Sequence, residues 1–308
     1  MITRQQIEKI TWLDMVNPTK EDVLAVMDEF DIHALVAEEL LSPTIQSRVD
    51  EYSKYLYLIL HFPALHHTEK GHQILAESQE VDFIIGKKFL ITVRYGNVDA
   101  ILKLSKLIEV ESVLRKAGGG EHAGFLFYKM MKSLYGALQA ELEYISEALI
   151  HIEDRIFDQK EKDLVYELSV ISSTLVGFRT SVRSHRDVLT SLEQAGRTFF
   201  DVDFVHYLKS ISSAQYKVYN LVQSNFDTLN ELRETNNSLL STKQNETMKT
   251  LTIMAFVTFP LSLLAALFGM NTLHTPLVES QYGFWYVIML MLAASGLFFG
   301  YFKYRKWL

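Results

Sequence analysis

The stretch from Lys249 to Asn271 reads KTLTIMAFVTFPLSLLAALFGMN, and after a short break Tyr282 to Phe302 reads YGFWYVIMLMLAASGLFFGYF. Between Lys249 and Lys303 the only formal charge is Glu279. The apolar stretches Thr250–Met270 and Tyr282–Phe302 hold 21 residues each. As helices they measure about 31 Å at ~1.5 Å per residue, enough to cross a hydrocarbon core of about 30 Å. Core helices of a soluble protein normally keep a polar face, and neither stretch has one. The pattern predicts two membrane spans, 250–270 and 282–302. Lys249 precedes the first, Lys303, Arg305 and Lys306 follow the second, and the loop between them has no Lys or Arg, so both termini are expected on the cytoplasmic side. Trp285, Tyr286, Tyr301, Tyr304 and Trp307 stand near the ends of the second span, as interfacial anchors do.

Working back from the first span, no Pro or Gly occurs between Gly196 and Pro260. One helix is predicted from about 202 to 270, roughly 100 Å long. Phe204, Leu208, Ile211, Gln215, Val218, Val222, Asn225, Leu229, Leu232, Asn236 and Leu239 alternate at spacings of four and three, a coiled-coil-like seam with polar interruptions. Two spans alone enclose no path, whereas several copies of this helix around an axis do.

The N-terminal part reads as mixed α/β followed by helices. A strand is expected over 8–15, and Asn17-Pro18-Thr19 then opens a helix carrying Val23, Val26, Met27 and Phe30 at helical spacing. A short helix covers about 33–41, a strand 55–60, and 81–93 forms a hairpin around Gly86-Lys87-Lys88. Helices are predicted at 98–116, 121–155 and 160–195. The domains are expected to be 1–200, a stalk over 201–249, and a membrane domain over 250–308.

Composition narrows the function. The chain has 308 residues, 48% apolar and 22% charged, which excludes disorder and argues against a nucleic-acid binder. The net charge of −7 hides an asymmetry: Lys249, Lys303, Arg305 and Lys306 against Glu279 give residues 249–308 a charge of +3, leaving −10 on the rest. With no cysteine, disulfides, thiolate metal sites and thiol nucleophiles are excluded. The first residues lack the apolar core of a cleaved signal. No phosphate-binding loop, H-E-x-x-H or G-x-S-x-G occurs, so no enzyme is expected. An organic cofactor is not expected either.

Gly269-Met270-Asn271 closes the first of two C-terminal spans, and Lys303-Tyr304-Arg305-Lys306-Trp307-Leu308 ends the sequence. Together with Asn245 to Thr252, Pro260 within the span, Trp12-Leu13-Asp14, Pro18-Thr19, and Phe30 to Leu35 followed by Glu38-Glu39, this resembles the CorA family of divalent-cation channels over essentially the whole chain. The resemblance implies an α+β cytoplasmic domain of α/β/α layering, a long helical stalk and two transmembrane helices in a funnel-shaped homopentamer of the inner membrane. It implies Mg²⁺, with Co²⁺ or Ni²⁺, as transported ion, and Mg²⁺ also as regulator. Carried over by position, Gly269, Met270 and Asn271 form the outer mouth, with Asn271 meeting the hydrated ion. Asn245, Met248, Leu251, Phe259 and Ser262 fall at inner and middle pore positions, where Phe259 and Ser262 replace the commoner Met and Thr. The family's stalk aspartate would lie where this chain has Ser210, so Asp201 and Asp203 are the nearby candidates for a regulatory metal.

The residues support this reading physically. Met248, Thr252, Ala255, Phe259, Ser262 and Ala266 stay within about 40° of one line along a helix, a face of small, hydroxyl and apolar groups without a carboxylate. Mg²⁺ sheds water reluctantly, so a path that keeps its hydration shell needs outer-shell oxygen acceptors such as the Asn271 amide. Asn271 also suits a helix C-cap. Met248 and Leu251 suit a dewetted constriction. Inward movement of a divalent ion gains roughly 4.6 kcal/mol per 100 mV of inside-negative potential, so no chemical energy source is required. His61, His66, His67 and His72 suggest either a Zn²⁺ or Co²⁺ site or, more plainly, loop histidines at a strand end. The outer loop has Thr275-Pro276-Leu277 where the family carries Met-Pro-Glu, and His274 beside it. That keeps open a proton-coupled Zn²⁺ transporter of the same architecture, similar to the ZntB branch.

Overall fold

The computed structural model describes residues 2–67, 73–96, 122–157, 161–270 and 281–305. It divides into two compact units, Met1–Arg233 and Glu234–Leu308.

In the first unit, six strands, β1 (Ile2–Ile7), β2 (Ile10–Val16), β3 (Arg48–Glu51), β4 (Tyr55–His67), β5 (Gln73–Gly86) and β6 (Phe89–Arg94), form one sheet in the order β1-β2-β6-β5-β4-β3. The β2–β6 pair is parallel and the others are antiparallel. Helix α1 (Lys20–Phe30) starts at a reciprocal cap, in which the Asp22 N–H donates to Thr19 Oγ1 at 3.2 Å and the Thr19 N–H to Asp22 Oδ2 at 3.0 Å. It stops at Asp31, in the left-handed region at φ 56°. Helix α2 (Ala34–Glu39) follows, and the pair covers one sheet face over Leu13, Met15, Val23, Val26, Val36, Tyr57, Ile84 and Val93.

The opposite face meets α3 (Gly124–Arg155), α4 (Glu161–Arg183) and α5 (His185–Phe199). Phe83 stands edge-on to Phe127 of α3 at 5.4 Å, and Phe62 contacts both Tyr135 and His185. With helices on both faces, central strands lose alternation and read as apolar runs, as 55–60 and 81–85 do. The α/β/α layering expected for this part is therefore present.

Several local expectations need correction. The strand expected over 8–15 begins with a turn at Glu8-Lys9, with Glu8 at φ 52°, and the turn pairs it with the unexpected β1. Strand β3 is likewise absent from the sequence reading. Helix 160–195 is broken at Ser184, between α4 and α5. His61, His66 and His67 lie within β4 and not in a loop. The expected helix 98–116 and His72 lie outside the described residues.

Helix α6 (Val205–Phe268) runs as a single element, close to the predicted 202–270. Its seam is spent largely within the chain: Phe204, Leu208, Ile211, Val218, Val222, Leu229 and Leu232 are buried. Two of the three polar interruptions meet backbone, Gln215 donating to the Val182 carbonyl at 3.3 Å and Asn225 to the Leu142 carbonyl at 2.9 Å. Gly196 permits the close approach of α5, since a Cβ there would lie 2.4 Å from Leu208 Cδ1. The second unit holds the rest of α6 and helix α7 (Gly283–Tyr304).

Candidate functional site

Both predicted spans are helical and are long and apolar enough to cross a membrane. Large side chains stand in the open along them, among them Phe259 at 73% exposure, Leu263 and Trp285. Tyr286, Tyr301 and Tyr304 are likewise exposed, while Trp307 lies outside the described residues.

Within the first span the covered and uncovered positions separate by face. Ile253 is buried, and Val257, Pro260, Leu261, Leu264 and Phe268 are half-buried, a set that recurs every three or four residues. Phe256 reaches Phe302 of α7, ring centroids 6.5 Å apart. The line through Met248, Thr252, Phe259, Ser262 and Ala266 falls about 170° around the helix from that set, and all five are exposed. Ala255, on the same line, is half-buried. The expected pore line is thus the side of the helix turned away from its covered face. Asn245 and Leu251 are also exposed.

On that face Thr252 and Ser262 carry acceptors among small and apolar side chains. The hydroxyl of Thr252 donates to the Met248 carbonyl at 2.8 Å, so its hydrogen is spent on the helix and its oxygen is left as an acceptor. On the covered side, Pro260 lacks an N–H, which releases the carbonyl of Phe256 from the helix ladder. At the end of the helix the Gly269 N–H still reaches the Ala265 carbonyl at 2.9 Å and the Met270 N–H the Leu267 carbonyl at 3.4 Å. Asn271, His274, Thr275-Pro276-Leu277 and Glu279 lie outside the described residues.

The candidate regulatory aspartates have local tasks. Asp201 Oδ1 accepts the N–H of Phe204 at 2.7 Å, capping the turn that leads into α6, and its Oδ2 lies 3.8 Å from His122 Nε2. Asp203 is exposed. Among the described residues no group of three or more His, Asp or Glu is placed to hold a metal. The His61 ring is already engaged, Nδ1 with Ser47 Oγ at 2.9 Å and Nε2 with the Thr44 carbonyl at 2.8 Å. The expectations did not include the buried acids Glu80 and Asp82. The signal for them is present, as two acids at alternate positions leading into the apolar run 83–85 share one face.

The CorA-like Mg²⁺ transporter protein family matches residues 8–305. The cobalt/magnesium transport protein CorA of Thermotoga maritima is 25% identical over 300 residues, covering 97% of this chain and 83% of that protein. The complete structure of the CorA magnesium transporter from Methanocaldococcus jannaschii superimposes with a TM-score of 0.84 at 20% identity, covering 99% of this chain and 94% of that one. The ZntB cytoplasmic domain from Vibrio parahaemolyticus gives 0.61 at 11% identity, over 76% of this chain and 89% of that one. A match across nearly the whole length, on a sheet-plus-helix domain, a long helix and two candidate spans, makes this chain a member of the CorA-like Mg²⁺ transporter family.

Proposed function

We propose that the protein is a divalent-cation channel of the cell membrane, Mg²⁺ being its main ion and Co²⁺ or Ni²⁺ also passing. In this reading five copies surround an axis as a funnel, with residues 1–200 and the stalk 201–249 in the cytoplasm and 250–308 in the bilayer, both termini inside. The observation that carries it is the uncovered, carboxylate-free face of the first span, opposite the covered one. An apolar helix so exposed needs lipid or other copies around it, and a face of hydroxyl and small side chains suits an axis better than lipid. Asn271, set by Gly269 and Met270, is the ring that receives the hydrated ion, and Asn245, Met248, Leu251, Phe259 and Ser262 line the path below. Entry is driven by membrane potential.

Cytoplasmic Mg²⁺ acts as the brake. Asp201 and Asp203 supply too few ligands by themselves, so a regulatory ion there draws others from an adjacent copy. The replacement of the loop acid by Thr275-Pro276-Leu277, with His274 nearby, favours a second reading, proton-coupled Zn²⁺ transport on the same architecture.

Flux into proteoliposomes tests both. Asn271→Ala is expected to abolish Mg²⁺ uptake while assembly, read by mass in detergent, is unchanged; undiminished flux removes the mouth assignment. Zn²⁺ uptake that outruns Mg²⁺ and follows an imposed pH gradient selects the second reading. Leu251→Ser is expected to weaken inhibition by internal Mg²⁺, and an unaltered inhibition curve shows that Leu251 is not the gate.

A further inference from the structure

On the face of the sheet covered by α1 and α2, strand β5 carries Glu80, 3% exposed, and Asp82, wholly buried. Glu80 Oε2 accepts the Thr44 N–H at 2.5 Å and the Thr44 hydroxyl at 3.3 Å, and it lies 3.2 Å from His61 Nε2, whose hydrogen is directed at the Thr44 carbonyl. Asp82 Oδ2 accepts the Tyr57 hydroxyl at 3.2 Å. The other oxygen of each acid, Glu80 Oε1 and Asp82 Oδ1, is buried and meets no donor from the chain. A buried acceptor left in that state is costly, and two at one place more so. The two acids stand at alternate positions of β5 and so share one face of the sheet, next to each other. One hydrogen shared between these two oxygens would satisfy both atoms together.

The surroundings favour that hydrogen. Asp82 is faced by Tyr57 from β4, by Glu80 on its own strand, by Tyr95 just after β6 and by Glu39 from α2. The nearby cation Arg48, on β3, is bonded to Glu39 and Asp50 and lies 5.9 Å from the Tyr57 ring. Burial, then the like charge of Glu80, holds the Asp82 carboxyl well above the usual carboxylate range. His61 moves the other way in charge: its hydrogen bond to Glu80 raises its pKa and favours the imidazolium. Tyr57 and Thr44 point hydrogens at the acid pair, which opposes a metal ion at the same place; the Tyr57 bond by itself favours ionised Asp82, but burial and the like charge of Glu80 outweigh it.

His61 also leads away from the pair. Its Nδ1 bonds Ser47 Oγ at 2.9 Å, and Ser184 Oγ donates to that same Ser47 oxygen at 3.3 Å. His185 Nε2 donates to the His61 carbonyl at 2.9 Å. Ser184 and His185 are the break between α4 and α5.

We propose that Glu80 and Asp82 hold a single proton between them, and that its loss as pH rises loosens the seat of the α4–α5 joint through His61. Once both acids are ionised they repel within a dry site and must separate or admit water, and His61, bonded to Glu80, shifts with them. A raised carboxyl pKa contributes stability that is complete below pH about 4 and is lost as pH climbs through the folded-state value. His61 adds to the same trend, since stability from a raised imidazole pKa is lost as pH rises above about 6.5. The inference concerns the sheet domain and does not rest on the transport reading.

The test uses the full chain in detergent, read by infrared spectroscopy of the protonated carboxyl C=O and by hydrogen exchange over residues 181–188. At neutral pH the wild type is expected to show an acid band that Asp82→Asn lacks, because the amide takes the place of the protonated form. Raising pH should speed exchange at 181–188 beyond the intrinsic rate in wild type and not in Asp82→Asn. Glu80→Gln, which removes the like charge, should lose its acid band at a lower pH than wild type, and it serves if Asp82→Asn fails to fold. An identical band in wild type and Asp82→Asn overturns the proposal. So does a band that Mg²⁺ abolishes at constant pH, which would mark a cation site, and so does exchange at the joint that ignores pH.

Discussion

Strands β4 and β5 and the two long apolar helices are built from similar side chains and treat them in opposite ways. Leu56, Leu58, Leu60, Phe83 and Ile85 have no exposed surface, whereas Phe259, Leu263, Trp285 and Leu297 have more than half of theirs exposed. The hydrophobic term is comparable per unit area in both, but the sheet satisfies it by internal packing and the helices leave it for the surroundings. Backbone polar groups explain why both solutions are stable. The strands need neighbours to pair with, so they bring their apolar faces into one core, while a helix pairs its own backbone and can carry its apolar surface outward into lipid.

The sharpest test of this contrast is a truncation in the sheet. Leu58→Ala removes a side chain with no exposed surface and is expected to cost about 2–5 kcal/mol, the range for large-to-small changes in a packed interior. Thermal unfolding of the full chain in detergent should show the loss at the transition of the sheet domain. A cost below about 1 kcal/mol would mean that the core closes over the gap, and the contrast with the spans would weaken.

Much of this is legible in the sequence because the spans announce themselves by absence of charge and the central strands by short apolar runs, 55–60 and 83–85. The spans are two 21-residue runs flanked by Lys and Arg, and α1 is framed by Thr19 and Asp22. Strand β1 escapes such a reading because ITRQQI is an exposed edge with little apolar content, and because the turn residues Glu8-Lys9 carry none of the Asn-Gly signal of a tight hairpin. The break at Ser184 has no Pro or Gly to mark it. It is set by tertiary contacts, the hydrogen bonds of Ser184 with Ser47 and of His185 with the His61 carbonyl, which no local pattern encodes. The seam on α6 shows by its spacing which residues face inward. Its partners, α3 and α4 of the same chain, are not legible, since an apolar stripe states a need for cover and not its source. At the expected site, Met248 to Met270 can be placed by helical geometry, and Asn271 rests on the motif alone.

A smaller effect probes how dry the interior of the sheet domain is. His185 is wholly buried between the Tyr135 hydroxyl, which donates to its Nδ1 at 2.9 Å, and the His61 carbonyl, which accepts from Nε2. Burial pushes its pKa down to about 4, so the ring is neutral at neutral pH. A lowered pKa gives stability that is present above pH 6.5 and is lost as pH falls through about 4. The full loss is on the order of 3 kcal/mol, since each tenfold drop in the ring's proton affinity is worth about 1.4 kcal/mol. The melting temperature should therefore fall more steeply between pH 6.5 and 4 in wild type than in His185→Gln. Parallel curves would show that water reaches the ring, and that the two regions differ less in dryness than in composition.

The smallest expected effect lies on α7. Leu297 is 76% exposed, so Leu297→Ala removes surface that the chain itself never covered. If lipid or detergent is its neighbour, the side chain leaves one apolar environment for another, and unfolding of the chain should change by less than about 0.5 kcal/mol. Assembly mass and melting measured together decide the matter. No change in either assigns that face to lipid. A drop in melting temperature accompanied by loss of higher-mass species would instead assign it to a second copy of the chain. The exposed helices would then obey the same packing rule as the sheet, with the cover supplied from another molecule.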